Sequence, residues 1–173
     1  MTHAPTILVT GARGQLGYEL AAALGAHGNT VALDRAALDL ADRESVVKTV
    51  RAIAPALIVN AAAYTAVDRA EQERDVAFTV NWDAPAILAE EAKRLNAVLI
   101  HYSTDYVFDG AQQIPYDENV TPNPLNAYGE TKLAGERAIA ASGTSAIVLS
   151  RSAISHLPST RMHRQFSLWK RNA

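Results

Sequence analysis

Hydrophobic and polar positions along the first 150 residues follow two patterns that take turns. Short continuous apolar runs predict buried strands at 6–10, 30–34, 56–61, 97–102 and 144–149. Apolar positions three or four residues apart predict helices at 15–26, 42–53, most of 69–96, and 128–141. Pro85 predicts a kink or break inside the third of these helical segments.

The alternation of strands and helices indicates a fold class. Continuous apolar strands, without strict alternation, are typical of a parallel sheet that is covered on both faces. The pattern therefore predicts a doubly wound, Rossmann-like α/β domain with helices on both faces of a parallel sheet. Ligands of such domains bind at the carboxyl ends of the strands. The polar strand ends are GARG (11–14), NAAAYT (60–65) and STDYV (103–107).

Composition and charge exclude several classes of protein. The 173 residues suffice for one domain with a core, and the net charge of −2 points to neither nucleic acid nor an anionic membrane. The absence of cysteine excludes disulfides and thiolate metal sites and suits the cytoplasm. No apolar run approaches the ~20 residues that span a bilayer. The N-terminus lacks the pattern of a signal peptide.

The segment GARGQLG places three glycines between the first strand and the first helix. The missing Cβ atoms of Gly11, Gly14 and Gly17 let the backbone approach a pyrophosphate, which the N-terminus of the helix attracts. A glycine triplet alone is weak evidence, because glycine commonly ends a strand. Its position between strand and helix favours a dinucleotide-binding loop.

Charged residues near this loop bear on the choice of cofactor. Asp34 ends the second strand, where an acid can accept hydrogen bonds from the adenine ribose. Arg13 and Arg35 could instead hold a 2′-phosphate. The acid favours NADH and the arginines favour NADPH. We therefore expect either cofactor to bind, with a mild preference for NADPH. Asp34 and Arg35 could also be solvated loop residues.

Two further strand ends carry candidate chemistry. The small residues of 61–63 would let the backbone lie close to a flat ligand, although tight packing between helix and sheet explains them nearly as well. A hydroxyl of Ser103 or Thr104 could hydrogen-bond a substrate carbonyl. The alternative is that Ser103, Thr104 and Asp105 cap a turn.

Tyr128 and Lys132 form a Y-x-x-x-K pair. Residues four apart are neighbours on a helix, so the pair alone could be an ordinary exposed one. A phenol has a pKa of about 10, and a lysine ammonium beside it is expected to lower that pKa. The lysine could also reach the ribose of a nicotinamide cofactor. With the glycine loop and a strand-end hydroxyl, the pair predicts carbonyl reduction, with a hydride from NAD(P)H and a proton from tyrosine.

Five segments, GARGQLG, IVNAAAYTAVDRAE, VNWDAP, HYSTDYVFDG and PLNAYGETKLAGE, make residues 6–149 resemble the extended short-chain dehydrogenase/reductases. The second, fourth and fifth segments more narrowly resemble the dTDP-4-dehydrorhamnose reductase family. The resemblance implies a cytoplasmic enzyme of dTDP-rhamnose biosynthesis. It would reduce the 4-keto group of dTDP-4-dehydro-L-rhamnose to give dTDP-L-rhamnose. The expected partner is this nucleotide sugar, with neither nucleic acid nor membrane.

The resemblance also implies roles for individual residues. Tyr128 would be the proton donor, Lys132 its partner and ribose ligand, and Thr104 the third catalytic residue, with Thr104 and Asp105 beside the sugar. The cofactor site expected from motifs and resemblance together comprises Gly11, Ala12, Arg13, Gly14, Gln15, Leu16, Gly17, Asp34, Arg35, Asp39, Leu40, Ala61, Ala62, Ala63, Tyr64, Thr65, Tyr102, Tyr128 and Lys132.

The family has been associated with Mg²⁺ at a contact between two copies, where Glu19 would match one ligand. The other acids of that site have no counterpart here, so we expect no metal site. A homodimer stays open.

The resemblance ends near Arg151. Residues 151–173 contain five lysines and arginines, no acid and no clear periodicity. The sequence thus predicts a Rossmann-like domain over 1–150 and an atypical basic tail over 151–173, without the family's C-terminal substrate lobe and with activity lost as a result. A shifted reading frame or an altered terminus would explain such a tail. The alternatives are a non-catalytic dinucleotide-binding module or regulatory subunit, or another extended short-chain reductase or epimerase acting on a nucleotide sugar.

Overall fold

A central sheet organises the chain. The computed structural model describes residues 4–112, 114–117, 119–151 and 167–169. In this part of the chain the strand order is β2-β1-β3-β4-β5-β6. The strands are β1 (Thr6–Thr10), β2 (Asn29–Leu33), β3 (Leu57–Asn60), β4 (Val98–Thr104), β5 (Ala146–Arg151) and β6 (Ser167–Trp169). The first five pair in parallel, which confirms the predicted parallel sheet, and β6 pairs antiparallel with β5.

Helices cover both faces of the sheet, as the apolar runs predict. They are α1 (Gln15–Leu24), α2 (Arg43–Ile53), α3 (Val67–Ala70), α4 (Arg74–Phe78), α5 (Ala84–Leu95) and α6 (Ala127–Ser142). A π-helical turn (Thr79–Asp83) joins α4 to α5, and a 3₁₀ turn (Asp105–Val107) follows β4. Helix α1 packs on β1 and β2, while α2, α5 and α6 pack together on the opposite face.

The core has two sides because successive strand residues point to opposite faces. Leu8, Ile58 and Leu99 are fully buried beneath α2 and α5. Ile7 and Val9 are buried beneath α1 together with Val59. Strand positions that face either side of the core are therefore mostly apolar, and this explains the continuous runs in the sequence.

Capping residues set the ends of the two best-predicted helices. The Asp42 carboxylate accepts a hydrogen bond from the N–H of Ser45 at 3.0 Å and starts α2, as its sequence predicts. The Asn126 side chain accepts from the N–H of Gly129 at 2.8 Å, so α6 begins one residue earlier than predicted. Helix α6 ends at Gly143, whose φ of 66° is the left-handed conformation that glycine adopts without strain.

The segment 69–96 is mostly helical, as predicted, and it is interrupted close to Pro85. The segment consists of α3, α4, the π-helical turn and α5, and Pro85 is the second residue of α5. Proline has no N–H to donate to the carbonyl of Asn81 four residues before it. The chain instead widens, and the N–H of Ala84 donates to the carbonyl of Thr79 five residues back. Gly135 of α6 lies against the carbonyl of Asn81.

The end of the chain is described only in part. Strand β4 continues through Thr104, two residues past its predicted end, and β5 runs to Arg151. Of the expected basic tail, the described residues are Arg151 and β6, whose Trp169 is in register with Val148 of β5. The rest of the tail lies outside the described residues. Three residues carry no recognisable periodicity, so the sequence did not predict β6.

The helices of the described ranges are short or polar relative to what a bilayer requires. Not one of them combines the length and the apolar character that a membrane crossing requires.

The contact between Gly135 and Asn81 gives a stability prediction. A Cβ atom at Gly135 would overlap the carbonyl oxygen of Asn81, whereas one at Gly25 would lie 3.5 Å from its nearest neighbour, the carbonyl oxygen of Ala22. We expect Gly135→Ala to lower the free energy of unfolding by about 1–3 kcal/mol. The control Gly25→Ala, at a φ of −57°, should be neutral or stabilise by up to about 1 kcal/mol. Urea unfolding measures both, and equal values for the two variants would contradict this reading.

Candidate active site

The glycine loop lies where the strand order reverses. The chain passes from β1 to β2 on one side of the sheet and then to β3 on the other, and such a switch point opens a crevice for ligands. Gly11, with a φ of 73°, faces β3 so closely that a Cβ atom would lie 2.8 Å from Cα of Ala62. A Cβ atom at Gly17 would overlap the carbonyl oxygen of Gly11. A side chain at Gly11 or Gly17 would collide with neighbouring backbone, so glycine at these two positions lets the loop pack closely.

Gly14 differs from the other two glycines. It precedes α1 as its N-terminal cap, and among the residues that the structure describes no side chain caps the first turn of that helix. The nearest atom to a Cβ at Gly14 would be the carbonyl oxygen of Gly11 at 3.2 Å. The helix end thus presents N–H groups, including those of Gln15 and Leu16, without a capping side chain. This arrangement suits an anionic ligand such as a pyrophosphate.

The loop after β3 supports both readings of its small residues. Residues 61–63 are half-buried at the same edge of the sheet as the glycine loop, so a ligand could reach them. The close approach of Ala62 to Gly11 also shows the tight packing that was the alternative.

The charged residues expected at the cofactor site pair with one another. Nε of Arg13 lies 3.3 Å from an Asp34 carboxylate oxygen, and Nε of Arg35 lies 3.8 Å from an Asp39 oxygen. The arginine side chains are 86% and 85% exposed. Both guanidinium groups are therefore free to turn towards a phosphate. The side chain of Leu40, which is expected in the same site, packs in the core.

Tyr128 and Lys132 are not an exposed surface pair. Lys132 is 1% exposed, and its ammonium nitrogen donates to the carbonyl oxygen of Tyr102 at 2.7 Å. Tyr128 is buried one turn earlier on α6, with its ring edge-to-face against Tyr106 at 5.5 Å between centroids. Burying a charged lysine costs free energy even when it is hydrogen-bonded, so surface lysines are rarely placed this way. The ordinary-helix reading of this pair is therefore wrong.

Thr104, the last residue of β4, combines both roles that its sequence suggests. Its hydroxyl accepts the N–H of Tyr106 at 3.3 Å and so caps the 3₁₀ turn. The same hydroxyl donates to the Asp105 carboxylate at 3.2 Å. It also forms a hydrogen bond with the phenol of Tyr128. The structure thus brings together the three residues expected to be catalytic.

The expected lowering of the tyrosine pKa is not what this arrangement produces. Burial raises the pKa of Tyr128, and the hydrogen bond with Thr104 opposes that shift only in part. Burial lowers the pKa of Lys132 to about 8, with the nearby Glu136 carboxylate opposing. The physical reason is desolvation, which disfavours the charged form of each group. Tyr128 is therefore a neutral phenol at neutral pH, the form that can donate a proton.

An amide missed by the sequence analysis ties the site together. The Asn81 side chain accepts from the N–H of Tyr64 at 2.9 Å and donates to the carbonyl of Tyr64 at 3.0 Å. It also donates to the Thr131 hydroxyl of α6 at 3.1 Å. Asn81 thereby fixes the loop after β3 relative to the helix that carries Tyr128. In the sequence, Asn81 lies in VNWDAP, one of the five segments that carry the family resemblance.

Two other pairs of buried polar residues adjoin the site, and neither pairing was predicted from the sequence. The Ser103 hydroxyl donates to the Glu136 carboxylate, and burial raises the pKa of Glu136. His101 and Asn60 lie in contact beneath Lys132. Asn60 is the single polar residue of β3, whereas His101 and Ser103 belong to the polar end of β4 and Glu136 lies on α6.

No cluster of three or more His, Cys, Asp or Glu side chains suited to a metal ion occurs among the described residues. Glu19, which the resemblance relates to a metal ligand, is exposed on α1.

Comparisons with known proteins agree with this geometry. Residues 5–156 match the family described as RmlD substrate binding domain. A dTDP-4-dehydrorhamnose reductase of Burkholderia thailandensis is 49% identical over 137 residues, which are 79% of this chain and 46% of that protein. The chain thus spans about half the length of the curated relatives it matches.

Solved structures of similar proteins show the same fold. A dTDP-4-dehydrorhamnose reductase of Bacillus anthracis in complex with NADP superposes with a TM-score of 0.82 at 36% identity, covering 86% of this chain and 53% of that one. A Clostridium acetobutylicum reductase of the same name gives 0.81 at 38% identity, over 84% and 52%. Because the match extends over most of its length, the chain belongs to the RmlD substrate binding domain family.

Proposed function

We propose that this chain is the cofactor-binding half of an NADPH-dependent dTDP-4-dehydrorhamnose reductase. The supporting observation is the buried Tyr128 phenol, hydrogen-bonded with Thr104 and one helical turn from buried Lys132. This group lies at the edge of the sheet that carries the glycine loop. The substrate we infer is dTDP-4-dehydro-L-rhamnose, since relatives up to 49% identical bear the name of its reductase.

The residues present fit a nicotinamide dinucleotide. Gly14 leaves open the space that a Cβ atom would narrow, beside the uncapped end of α1. Pyrophosphate oxygens would meet the N–H groups there. Arg13 and Arg35, which are exposed next to Asp34, could bind a 2′-phosphate, so we propose NADPH as the preferred cofactor. The B. anthracis reductase, which has the same fold, was solved in complex with NADP, and this supports the choice.

The chain's own residues handle the proton of the reduction. When bound, the cofactor supplies the hydride that adds to the carbonyl carbon. The phenol of Tyr128 donates its proton to the carbonyl oxygen, and the Thr104 hydroxyl holds that oxygen in place. Because burial raises the pKa of Tyr128, the phenol is protonated before the proton transfer takes place. Lys132 donates to hydroxyls of the ribose and so orients the cofactor.

The first test of this proposal is nucleotide binding. We expect the folded chain to bind NADPH in a calorimetric titration. Gly14→Val should weaken binding by about tenfold or more, which corresponds to the ~1–3 kcal/mol that an intruding side chain costs. Gly14 has an ordinary φ of −72°, and a Cβ atom there would lie 3.2 Å from the Gly11 carbonyl oxygen, so the carbonyl must move by a few tenths of an ångström. Circular dichroism shows that the variant is folded before its binding is compared.

Gly25→Ala, at the other end of α1, serves as the matched control and should bind as the parent does. Failure of the folded parent to bind either NADPH or NADH would refute the cofactor assignment. Equal affinity of Gly14→Val and the parent would refute the assigned position of the pyrophosphate. Binding without turnover, in a form that also carries a substrate lobe, would favour the non-catalytic alternative.

A further inference from the structure

Glu136 is a buried acid that the reaction described above does not use. It lies on α6 one turn after Lys132 and two turns after Tyr128, and it is 8% exposed. Residues four apart on a helix share a face, so these three side chains form one buried stripe of α6. Glutamates are rarely buried this far unless they are paired. The position of Glu136 therefore calls for a partner.

Adjacent residues of β4 anchor Lys132 and Glu136. Nζ of Lys132 donates to the carbonyl oxygen of Tyr102 at 2.7 Å. The next residue, Ser103, is itself buried and donates its hydroxyl to the Glu136 carboxylate. One strand thus holds the ammonium and the carboxylate close together, away from solvent, and each charge favours the ionised form of the other.

The other groups around Lys132 are uncharged. The Tyr102 carbonyl is neutral, and Tyr128 is a phenol whose pKa is raised by burial. Nε2 of His101 lies 3.2 Å from Nζ, but burial and the charge of Lys132 hold the pKa of His101 well below its usual value. None of the ion pairs at contact distance between described residues includes Lys132. The negative charge that acts on this lysine is that of Glu136.

Glu136 also borders a cavity of about 330 Å³ between α6, β5 and the loop that precedes α6. Asp117 of that loop lines the same cavity and carries a like charge. Burial raises the pKa of Glu136. The hydrogen bond from Ser103 opposes this rise, and so do the positive charges of Lys132 and Arg137. Three contacts thus favour the carboxylate form of Glu136 against the effect of burial.

The size of the burial effect shows what a counter-charge can decide. Full burial by itself lowers the pKa of a lysine by up to about 3–5 units. The pKa of Lys132 is about 8, against 10.5 for a free lysine. At neutral pH about nine in ten of these side chains are then charged, whereas a pKa lower by about one unit would leave only about half of them charged.

We propose that Glu136, held in place by Ser103, is a positioning residue that acts as the buried counter-charge of Lys132 and keeps this lysine an ammonium group at neutral pH. Only the use made of the ammonium rests on the proposed function. There it orients the cofactor ribose and favours the phenolate that Tyr128 becomes when it gives up its proton.

Nuclear magnetic resonance tests the proposal on the chain itself, without cofactor or substrate. The ¹³Cε signal of Lys132, assigned by its loss in Lys132→Met, should titrate in the parent with a midpoint of about 8. Glu136→Gln keeps an oxygen for the Ser103 hydroxyl and removes the charge. The proton affinity of Lys132 should then fall by about tenfold. Glu136→Asp retains the charge on a shorter side chain, so its midpoint should lie between the other two.

Glu130→Gln is the matched control. Glu130 is an exposed acid of the same helix that pairs with Arg74. It lies two residues from Lys132, and residues two apart on a helix do not face each other. The variant therefore loses the same charge from α6, but the proton affinity of Lys132 should change by less than about twofold, since solvent screens exposed charges.

The coupling must act equally in both directions, because it is one free energy shared by two titrating groups. In Lys132→Met the proton affinity of Glu136, followed by its ¹³Cδ signal, should rise by the same factor of about ten. This measurement decides the matter if Glu136→Gln does not fold.

An unchanged Lys132 midpoint in folded Glu136→Gln would overturn the proposal, and so would an equal fall in Glu130→Gln. A Glu136 midpoint that is the same in Lys132→Met and in the parent would overturn it as well. Because none of these readouts needs NADPH, failure of nucleotide binding would refute the proposed function and leave this inference standing. Absence of the coupling would leave the proposed function intact.

Discussion

Tyr128→Phe is expected to lower kcat by about 10²–10⁴-fold and to leave the affinity for NADPH nearly unchanged. The substitution removes the proton donor and retains the ring that packs edge-to-face against Tyr106. Since the chain spans about half the length of its relatives, the assay uses a fusion that adds the C-terminal half of one of them. NADPH oxidation in the presence of the dTDP-linked keto sugar reports turnover, and calorimetry reports binding.

Tyr106→Phe is the control for this experiment. Its ring is the partner of Tyr128 in the edge-to-face contact, and its side chain is exposed. Loss of the Tyr106 hydroxyl should change kcat by less than about tenfold. A residue that transfers the proton would contribute at least about 100-fold. Turnover of Tyr128→Phe at the parental rate would remove Tyr128 from the mechanism.

Lys132→Met should stabilise the fold near pH 7 by about 2 kcal/mol, although it removes a functional group. The pKa of Lys132 is about 8 in the folded chain, against 10.5 for a free lysine. The unfolded chain therefore binds this proton more tightly. Below pH 8 the folded state bears a penalty of roughly 3 kcal/mol, which disappears as the pH rises from 8 to 10.5. Loss of the hydrogen bond to Tyr102 offsets about 1 kcal/mol of the gain.

The pH dependence separates this cause from better packing. Urea unfolding near pH 7 and near pH 10 should show the advantage of Lys132→Met shrinking at the higher pH, because the parent then holds an amine. Lys93→Met is the control, since exposed Lys93 donates to the carbonyl of Ser142 at 2.8 Å. It loses a similar hydrogen bond without a buried charge, so a small and pH-independent loss is expected. An advantage of Lys132→Met that does not change with pH would contradict the assignment.

Local sequence predicts much of the fold and of the site. The run TILVT gives β1 with its observed bounds, and Asp42 gives the start of α2. The glycine loop and the Y-x-x-x-K pair are likewise local, because three glycines between a strand and a helix, or two residues one helical turn apart, keep their relation in any tertiary context. Local pattern also indicated a break near Pro85.

Sequence could not predict what depends on distant segments. Thr10, Asn60 and His101 lie in three different strands, and they meet only because the sheet places β1, β3 and β4 side by side. The expectation for the tyrosine pKa was wrong for the same reason. Spacing showed that Lys132 lies near Tyr128, but the depth at which α6 packs on the sheet decides that burial outweighs charge.

The packing of α6 against the π-helical turn limits how this protein can be recombined with its relatives. The carbonyl group of Asn81 lies between Pro85 and Gly135. Pro85 has no N–H to donate to this carbonyl, and Gly135 has no Cβ atom to collide with it. The two positions are fifty residues apart in the chain. A chimaera with a crossover between them unites halves from two parents, and we infer that parents which differ at either position give less stable progeny than parents which share both. Gene-shuffling libraries should therefore carry the segments 79–85 and 127–142 as one inherited block.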